Sequence, residues 1–386
     1  MTTLSHARLG LVRLSRALLA VLISHAVFCV GAMPTSAADR ENMSVRWKRP
    51  VDQPQSLTIS AGGLFYGGVG KDGTVWLFDG DGELLWKKQI EGATDVLIAR
   101  NGQTSLVYSR LNPVHLHVYF FRKDGRLLWQ HEIEGSAWSG AVSPDGEYAA
   151  VTTGGKYVYL YTPDPDKPRY RRWRLKGIGH CLAFTPDSKK LVVGTWQEST
   201  TACYDLDGNL EWMDPQDSDR QYELQISADG RRILGLRPSM QHSPLAELCL
   251  WDSQGKRLWR RDVEGFDVLA RVSPRSQYVA VSYAKVLSHK TSEAVERRVA
   301  VYDSKGELLW GKGGLFFGPR LVALSPTGSS VIVSDGSRSL YNIGKRGRIL
   351  SKHTLGGTIR RAVASEDGRR ILLYCADGQL YLVDVG

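Results

Sequence analysis

The chain has 386 residues, of which 50 are lysine or arginine and 40 are aspartate or glutamate, giving a formal net charge of +10. Three arginines and no acidic residue fall within residues 1–38, which leaves +7 for the rest, too small an excess to indicate a nucleic-acid partner. The cysteines lack the spacing of a metal site. We interpret Cys181, Cys203, Cys249 and Cys375 as small buried hydrophobic residues. Export would permit a disulfide among them, but the sequence does not indicate a pairing.

The N-terminal segment has the pattern of a secretory signal peptide. Three arginines precede an apolar stretch from Ala17 to about Ala32, and the small residues Ser36-Ala37-Ala38 follow. This pattern predicts a signal peptide over residues 1–38 and one folded domain over residues 39–386, located in the periplasm or secreted. The alternative is an uncleaved membrane anchor, which the short apolar stretch disfavours.

Further along the chain, one hairpin unit is repeated. Its first copy runs from Phe78-Asp79 through Gly82 to Trp86, two apolar runs joined by a tight turn. From Trp47 to Trp310 the spacing averages about 44 residues, the period of a four-stranded propeller blade. Eight positions serve as predicted core anchors: Trp47, Trp86, Trp129, Trp173, Trp212, Trp259, Trp310 and Leu350. The sequence therefore predicts an all-β propeller.

The two ends of the folded region complement each other. The last repeat supplies three strands, named a to c from the inside out, and the chain then ends without a fourth, or d, strand. Residues Ser44 to Lys48 resemble the d strand Leu84 to Lys88. We therefore predict eight blades, closed by pairing of the N-terminal strand with the C-terminal blade. Seven blades are the alternative, because the third blade has a proline-rich connection from Pro163 to Pro168.

Strands a and b of each repeat are joined by a small turn. The position three before the last turn residue carries a hydroxyl in seven of eight repeats: Ser60, Ala99, Ser143, Thr185, Ser227, Ser273, Ser325 and Ser365. A hydroxyl there can accept hydrogen bonds from the N–H groups of its own turn. We therefore interpret this column as structural and not as a row of nucleophiles.

The recurring Asp-x-x-Gly-x-Leu-x-Trp pattern resembles the tryptophan-docking repeat of quinoprotein-type propellers, and the a–b turns resemble those of WD-type propellers. The resemblance covers nearly all of residues 43–386. It implies the fold and leaves the function open, because this superfamily includes both pyrroloquinoline-quinone (PQQ) dehydrogenases and the non-enzymatic propeller of the bacterial outer-membrane β-barrel assembly machinery. The Asp-to-Gly spacing is one residue shorter than in the quinoprotein enzymes, an adjacent cysteine pair is missing, and no position matches a family cofactor ligand.

Departures from the repeat concentrate on one side of the predicted ring. The b–c connections around Ser109 to Val114, Arg237 to Ala246 and Lys285 to Arg298 are enlarged, and b–c and d–a connections emerge on the same face of a propeller. The inner strands begin on that face. Alternation along them predicts side chains that lean toward the central channel and form a ligand- or partner-binding site: Asp95, Glu223, Gln225, Arg271 and Arg361. The alternative is ordinary solvation of a channel mouth by paired charges.

The sequence carries no clear pattern of a catalytic site and one weak pattern of a metal site. No nucleophile with a base, carboxylate pair or phosphate loop stands out, and we predict no catalytic residue, metal or cofactor. The one metal-like feature is His115-Leu116-His117 facing Gln130 to Glu134. A two-residue loop at Asp124-Gly125 places His117 opposite Glu132, whereas a three-residue loop places it opposite His131. We favour cross-strand polar pairing over a metal site.

These features together favour an exported, non-enzymatic propeller that acts as a scaffold, with a PQQ-dependent oxidoreductase as the alternative. We expect a monomer that binds a protein partner or an envelope ligand through the face with the b–c loops, and that meets the membrane only if its N-terminal segment is uncleaved. The basic and aromatic run Arg169 to Arg174 is interpreted as a solvated edge strand, so no nucleic-acid partner is expected.

Overall fold

The chain forms eight four-stranded antiparallel sheets in which each sheet is one blade of a ring. The computed structural model describes residues 43–112, 115–135, 137–162, 169–196, 198, 200–215, 223–237, 245–286, 295–313, 320–325 and 328–386. Strand β1 is Met43–Pro50. Blades one to four then follow in chain order: β2 Pro54–Ile59, β3 Phe65–Gly70, β4 Thr74–Asp79, β5 Leu84–Gln89; β6 Ala93–Ile98, β7 Thr104–Asn112, β8 His115–Arg122, β9 Leu127–Glu134; β10 Ala137–Val142, β11 Ala149–Thr153, β12 Tyr157–Thr162, β13 Arg169–Arg174; β14 Ile178–Phe184, β15 Lys190–Trp196, β16 Thr200–Asp205, β17 Leu210–Pro215.

Blades five to seven have the same up-and-down order, and the eighth ends the chain. Their strands are β18 Glu223–Ile226, β19 Arg232–Arg237, β20 Leu245–Asp252, β21 Arg257–Glu264; β22 Phe266–Val272, β23 Tyr278–Val286, β24 Val295–Asp303, β25 Leu308–Gly313; β26 Arg320–Leu324, β27 Val331–Ser334, β28 Ser339–Ile343, β29 Ile349–Thr354; β30 Ile359–Ala364, β31 Arg370–Cys375, β32 Gln379–Val385. A short 3-10 turn, Lys345–Gly347, precedes β29. The predicted alternative of seven blades is wrong, because Arg169–Arg174 pairs with Tyr157–Thr162 as the d strand of a regular third blade.

The ring closes as the sequence predicts. Strand β1 pairs antiparallel with β32, with Trp47 opposite Leu382, and completes the sheet of the eighth blade. The Trp47 indole is only 7% exposed and meets the ring of Tyr66 from the first blade edge-on, at 5.4 Å between ring centroids. Its Nε1–H donates to the carbonyl oxygen of Gly80 at 3.2 Å. The N-terminal strand therefore belongs to the eighth blade, while its tryptophan packs against the first blade.

This inter-blade docking explains the glycine of the repeat better than turn formation alone. Gly82 has φ of +79°, and a Cβ atom there would lie 2.8 Å from the Trp47 indole. Gly306 has φ of +81° and would meet Trp259 at the same distance. Each glycine thus satisfies a left-handed turn and also leaves room for the tryptophan of the preceding blade. The sequence pattern encodes contacts between blades as well as hairpins within them.

One predicted anchor is wrong. Leu350 is 38% exposed, comparable to the outward-facing Leu85 at 39%. The register shows why: Leu77 pairs with Trp86 in the first blade, and the matching pair in the seventh blade is Asn342 with Ser351. Ser351 therefore occupies the tryptophan position, one residue beyond the predicted anchor.

The hydroxyl column is structural, as predicted. In the third blade, Ser143 Oγ accepts a hydrogen bond from the Tyr148 N–H at 2.8 Å and donates to Asp145 at 2.5 Å. Equivalent acceptors serve the turns at Ser60, Thr185, Ser227, Ser273, Ser325 and Ser365. Ala99, which lacks the hydroxyl, keeps the same backbone turn.

The cysteine prediction holds for Cys203, Cys249 and Cys375, which are buried, whereas Cys181 is half-buried; none of the four forms a disulfide in the described chain.

Several predictions lie outside the described residues, namely the segment 1–38, the connection 163–168 and the central parts of the b–c connections, 113–114, 238–244 and 287–294. In the part of the chain that is described, no helix has the length and apolar character needed to span a membrane.

Candidate ligand site at the mouth of the central channel

The eight inner strands surround a channel whose two ends differ. We call the end where the inner strands begin the loop face and the end with the a–b turns the turn face. At the loop face, a cavity of about 760 Å³ opens between the first, second, sixth, seventh and eighth blades. Among the described residues, its charged lining comprises one carboxylate and five arginines: Asp95, Arg271, Arg297, Arg320, Arg360 and Arg361.

Three of the five predicted site residues meet in this cavity. Asp95, Arg271 and Arg361 all line it. Gln225 instead lines a second cavity of about 410 Å³ deeper in the channel, which Arg271 also borders. Glu223 lines neither cavity and lies exposed at the start of β18, where its carboxylate acts on Arg271 electrostatically.

Sequence reasoning missed Arg297, Arg320 and Arg360. The prediction assumed strict alternation along the inner strands, but in seven of the eight blades the described register shifts where the a strand begins, for example between Ile359 and Arg361. A β-bulge lets neighbouring side chains point to the same side, so Arg360 and Arg361 both face the cavity. Arg297 comes from the c strand of the sixth blade, which the inner-strand alignment did not cover.

The arginines are held mainly by backbone oxygens. Arg361 Nε donates to the Pro54 carbonyl oxygen at 2.7 Å, and an Arg271 terminal N–H donates to the Ala270 carbonyl oxygen at 2.8 Å. Arg297 lies 3.4 Å from a carboxylate oxygen of Asp267. Within the described ranges, Arg271, Arg320, Arg360 and Arg361 form no ion pair with a carboxylate. The alternative of a mouth lined by paired charges therefore does not describe these four side chains.

Asp95 does not neutralise the arginines. Its carboxylate accepts a hydrogen bond from the Ser56 hydroxyl, and its Oδ1 accepts another from the Val96 N–H at 2.8 Å. Burial raises the pKa of Asp95, an effect that these two hydrogen bonds oppose. Burial likewise lowers the pKa of Arg271, opposed by the nearby carboxylate of Glu223. Both side chains are thus partly removed from water at the channel wall.

The turn face is bridged by one side chain. Arg100, from the turn of the second blade, lies 2.7 Å from the Glu366 carboxylate of the eighth blade and 3.5 Å from the Ala228 carbonyl oxygen of the fifth. Glu366 and Ala228 both line the deeper cavity. The guanidinium therefore links the second, fifth and eighth blades across the turn face of the channel.

The histidine cluster has the register of the two-residue loop. His115 lies opposite Glu134 and His117 opposite Glu132. His115 Nδ1 is 2.6 Å from Glu132, and His131 Nδ1 is hydrogen-bonded to the Tyr161 hydroxyl at 2.8 Å. No group of three or more metal-ligating side chains with the geometry of a metal site occurs among the residues that the structure describes. The contact of His115 with Glu132 is thus a cross-strand pair within the second blade, whereas the His131–Tyr161 hydrogen bond joins the second blade to the third.

Solved structures resemble this chain in fold. The C-terminal WD40 domain of Sif2 has a TM-score of 0.65 at 12% identity, with 90% of this chain and 99% of that domain covered. BamB from Moraxella catarrhalis has a TM-score of 0.62 at 14% identity, with 89% and 98% covered. The chain therefore shares the propeller fold of these two proteins. A hydrazine synthase of Kuenenia stuttgartiensis is also similar, with a TM-score of 0.55 at 13% identity and coverage of 77% and 96%.

These similarities establish the architecture and not the chemistry, because each sequence identity is below 15%. No protein-family model matches the sequence, and no curated protein matches it.

Proposed function

We propose that the protein is an exported, non-enzymatic scaffold that binds a protein partner or an envelope ligand through its loop face. The observation that carries this proposal is the asymmetry of the channel. The loop face holds an open cavity lined by five arginines, four of which form no ion pair within the described chain, whereas the turn face is bridged by Arg100 and by hydrogen-bonded turns. Unpaired charge at a concave surface is a feature of binding sites that folding does not require.

Three further features support the proposal. The column of serine and threonine hydroxyls is fully used in the turns, so it offers no activated nucleophile. The fold is one that the C-terminal WD40 domain of Sif2 and BamB also adopt. The signal-peptide pattern of residues 1–38 supports export.

The test compares the two faces at equal charge change. The loop-face variant carries Glu223→Gln with Arg361→Gln, and the turn-face control carries Glu147→Gln with Arg231→Gln; all four side chains are exposed. Affinity capture from an envelope extract with residues 39–386 as bait should recover a partner with the wild type and the control, and lose it with the loop-face variant. Equal recovery by both variants, or selective loss with the control, would contradict the assignment of the binding face.

The non-enzymatic part of the proposal has its own test. Purified protein is incubated with PQQ and calcium, freed of excess quinone, and scanned for absorbance of bound chromophore. We expect no retained chromophore and no dye-linked alcohol oxidation. Stoichiometric quinone with substrate-dependent dye reduction would instead establish the oxidoreductase alternative.

A further inference from the structure

The arginines at the channel mouth form a concentrated positive site. Five guanidinium groups from three consecutive blades line one cavity: Arg271 and Arg297 from the sixth, Arg320 from the seventh, and Arg360 and Arg361 from the eighth. Among the five, only Arg297 forms an ion pair in the described chain, with Asp267 at 3.4 Å, although the carboxylate of Glu223 also acts on Arg271 electrostatically. Arginine stays protonated under all ordinary conditions, so these charges repel one another in the free protein.

Packing requirements do not explain this cluster. The blade structure needs apolar side chains between sheets and hydroxyls at the turns, and neither role falls to Arg320 or Arg360, which are exposed. Arg271 is a stronger case, because burial lowers its pKa and its described hydrogen bond goes to a single backbone carbonyl oxygen. A guanidinium has five N–H donors, so most of its donors have no described protein acceptor.

The remaining lining suits an anionic ligand of small size. Ser56, Ser334, Thr358 and Gln55 add hydroxyl and amide groups to the wall. The volume of about 760 Å³ lies within the range of small-molecule sites, which is about 300–1,000 Å³. The only carboxylate in the described lining, Asp95, is engaged by Ser56 and the Val96 N–H.

We propose that the mouth of the channel binds a small molecule that carries at least two anionic groups, carboxylate or phosphate. Arginine is the side chain best matched to both groups, because its planar fork donates two parallel hydrogen bonds to a pair of oxygens. Guanidinium groups on three neighbouring blades bind separate anionic groups of one ligand. The inference deepens the proposed ligand-binding role of the loop face and rests on it for the location of the site.

Citrate and pyrophosphate are the probes, because they represent the carboxylate and phosphate forms of the same chemistry. Each is titrated into residues 39–386 by isothermal calorimetry at low ionic strength and again at about 0.15 M salt, where exposed charges are screened beyond about 8 Å. We expect one site for at least one probe, which persists at the higher salt. Binding of either probe supports the proposal. The probe that binds more tightly shows whether the site prefers carboxylate or phosphate groups.

The decisive variant is Arg320→Gln with Arg360→Gln, two exposed side chains without an ion pair in the described chain. Its matched control is Arg231→Gln with Arg369→Gln, which removes two exposed charges from the turn face. The mouth variant should weaken binding at least 10-fold while the control stays within about twofold and both keep the wild-type melting temperature.

Three results would overturn the proposal. They are no heat of binding for either probe at millimolar concentration, equal weakening by the mouth variant and the control, or binding of an oligoglutamate peptide but of neither small anion. The last result would assign the arginines to an acidic protein segment. Partner capture that survives in the absence of anion binding would separate failure of this inference from failure of the scaffold proposal.

Discussion

Trp47 of the N-terminal strand packs against Gly82 of the first blade, so closely that a Cβ atom at Gly82 would lie 2.8 Å from the indole. The strand that carries Trp47 is paired with the last strand of the chain. One side chain therefore connects the two ends of the sequence to each other and to the next blade. The stability of the whole ring depends on this seam, because an open propeller exposes two unpaired edges.

The first prediction concerns this seam. Trp47→Ala removes a 7% exposed aromatic side chain and should lower the free energy of unfolding by about 3–5 kcal/mol. Leu350→Ala is the control, because that side chain is 38% exposed and should cost less than about 1 kcal/mol. Urea denaturation measures both. A chain that starts at Pro54 and melts at the wild-type temperature would show that β1 does not close the ring.

The second prediction concerns the turn hydroxyls. Ser143→Ala leaves the Tyr148 N–H without its side-chain acceptor and should cost about 1–3 kcal/mol. Ala99→Ser adds the missing hydroxyl to a turn with the same backbone hydrogen bonds and should stabilise the protein by up to about 1 kcal/mol. Thermal and urea unfolding of the two variants provide the measurement. If Ser143→Ala is neutral, the column needs another explanation.

The third prediction concerns pH. Burial raises the pKa of Asp95, so the folded state binds its proton more tightly than the unfolded state, and ionisation costs stability as the pH rises through the folded pKa. Asparagine cannot ionise. The stability of Asp95→Asn relative to wild type should therefore increase from about pH 3 toward neutrality, starting near the ordinary carboxyl pKa of about 3.9. A relative stability that falls over this range would mean that the arginines hold the carboxylate ionised.

The fourth prediction concerns the histidines of the second blade. His115→Gln with His117→Gln should leave partner capture unchanged and release no metal, because the contact of His115 with Glu132 is a cross-strand pair. Elemental analysis of protein purified without added metal gives the answer. Stoichiometric zinc in the wild type that disappears in the double variant would establish a metal site.

Much of the architecture was predictable because the repeat fixes both the hairpin and the blade period. Closure followed from the strand pattern of Ser44 to Lys48. The sequence left two registers open for His115 and His117, and the structure has the one with His117 opposite Glu132. Leu350 was misassigned because the tryptophan position of the seventh blade is filled by Ser351, and a serine there leaves no apolar signal.

The channel mouth was only partly predictable. Asp95, Arg271 and Arg361 were placed together by alternation along the inner strands. Arg320 and Arg360 were missed because bulges where β26 and β30 begin break that alternation, and a bulge has no fixed sequence signature. The pairing of Arg100 with Glu366 could not be predicted from the sequence either, because the two side chains belong to blades that are not adjacent.

The position of a captured partner or ligand on the ring is measured most directly by the backbone amides that it protects from exchange. Hydrogen–deuterium exchange is measured for residues 39–386 with and without it. We predict slower exchange at the starts of the inner strands β26 and β30, around Arg320 and Ile359, with no change in the a–b turns around Ser143 and Ser365. Protection confined to the a–b turns would contradict the central claim that the protein binds through its loop face.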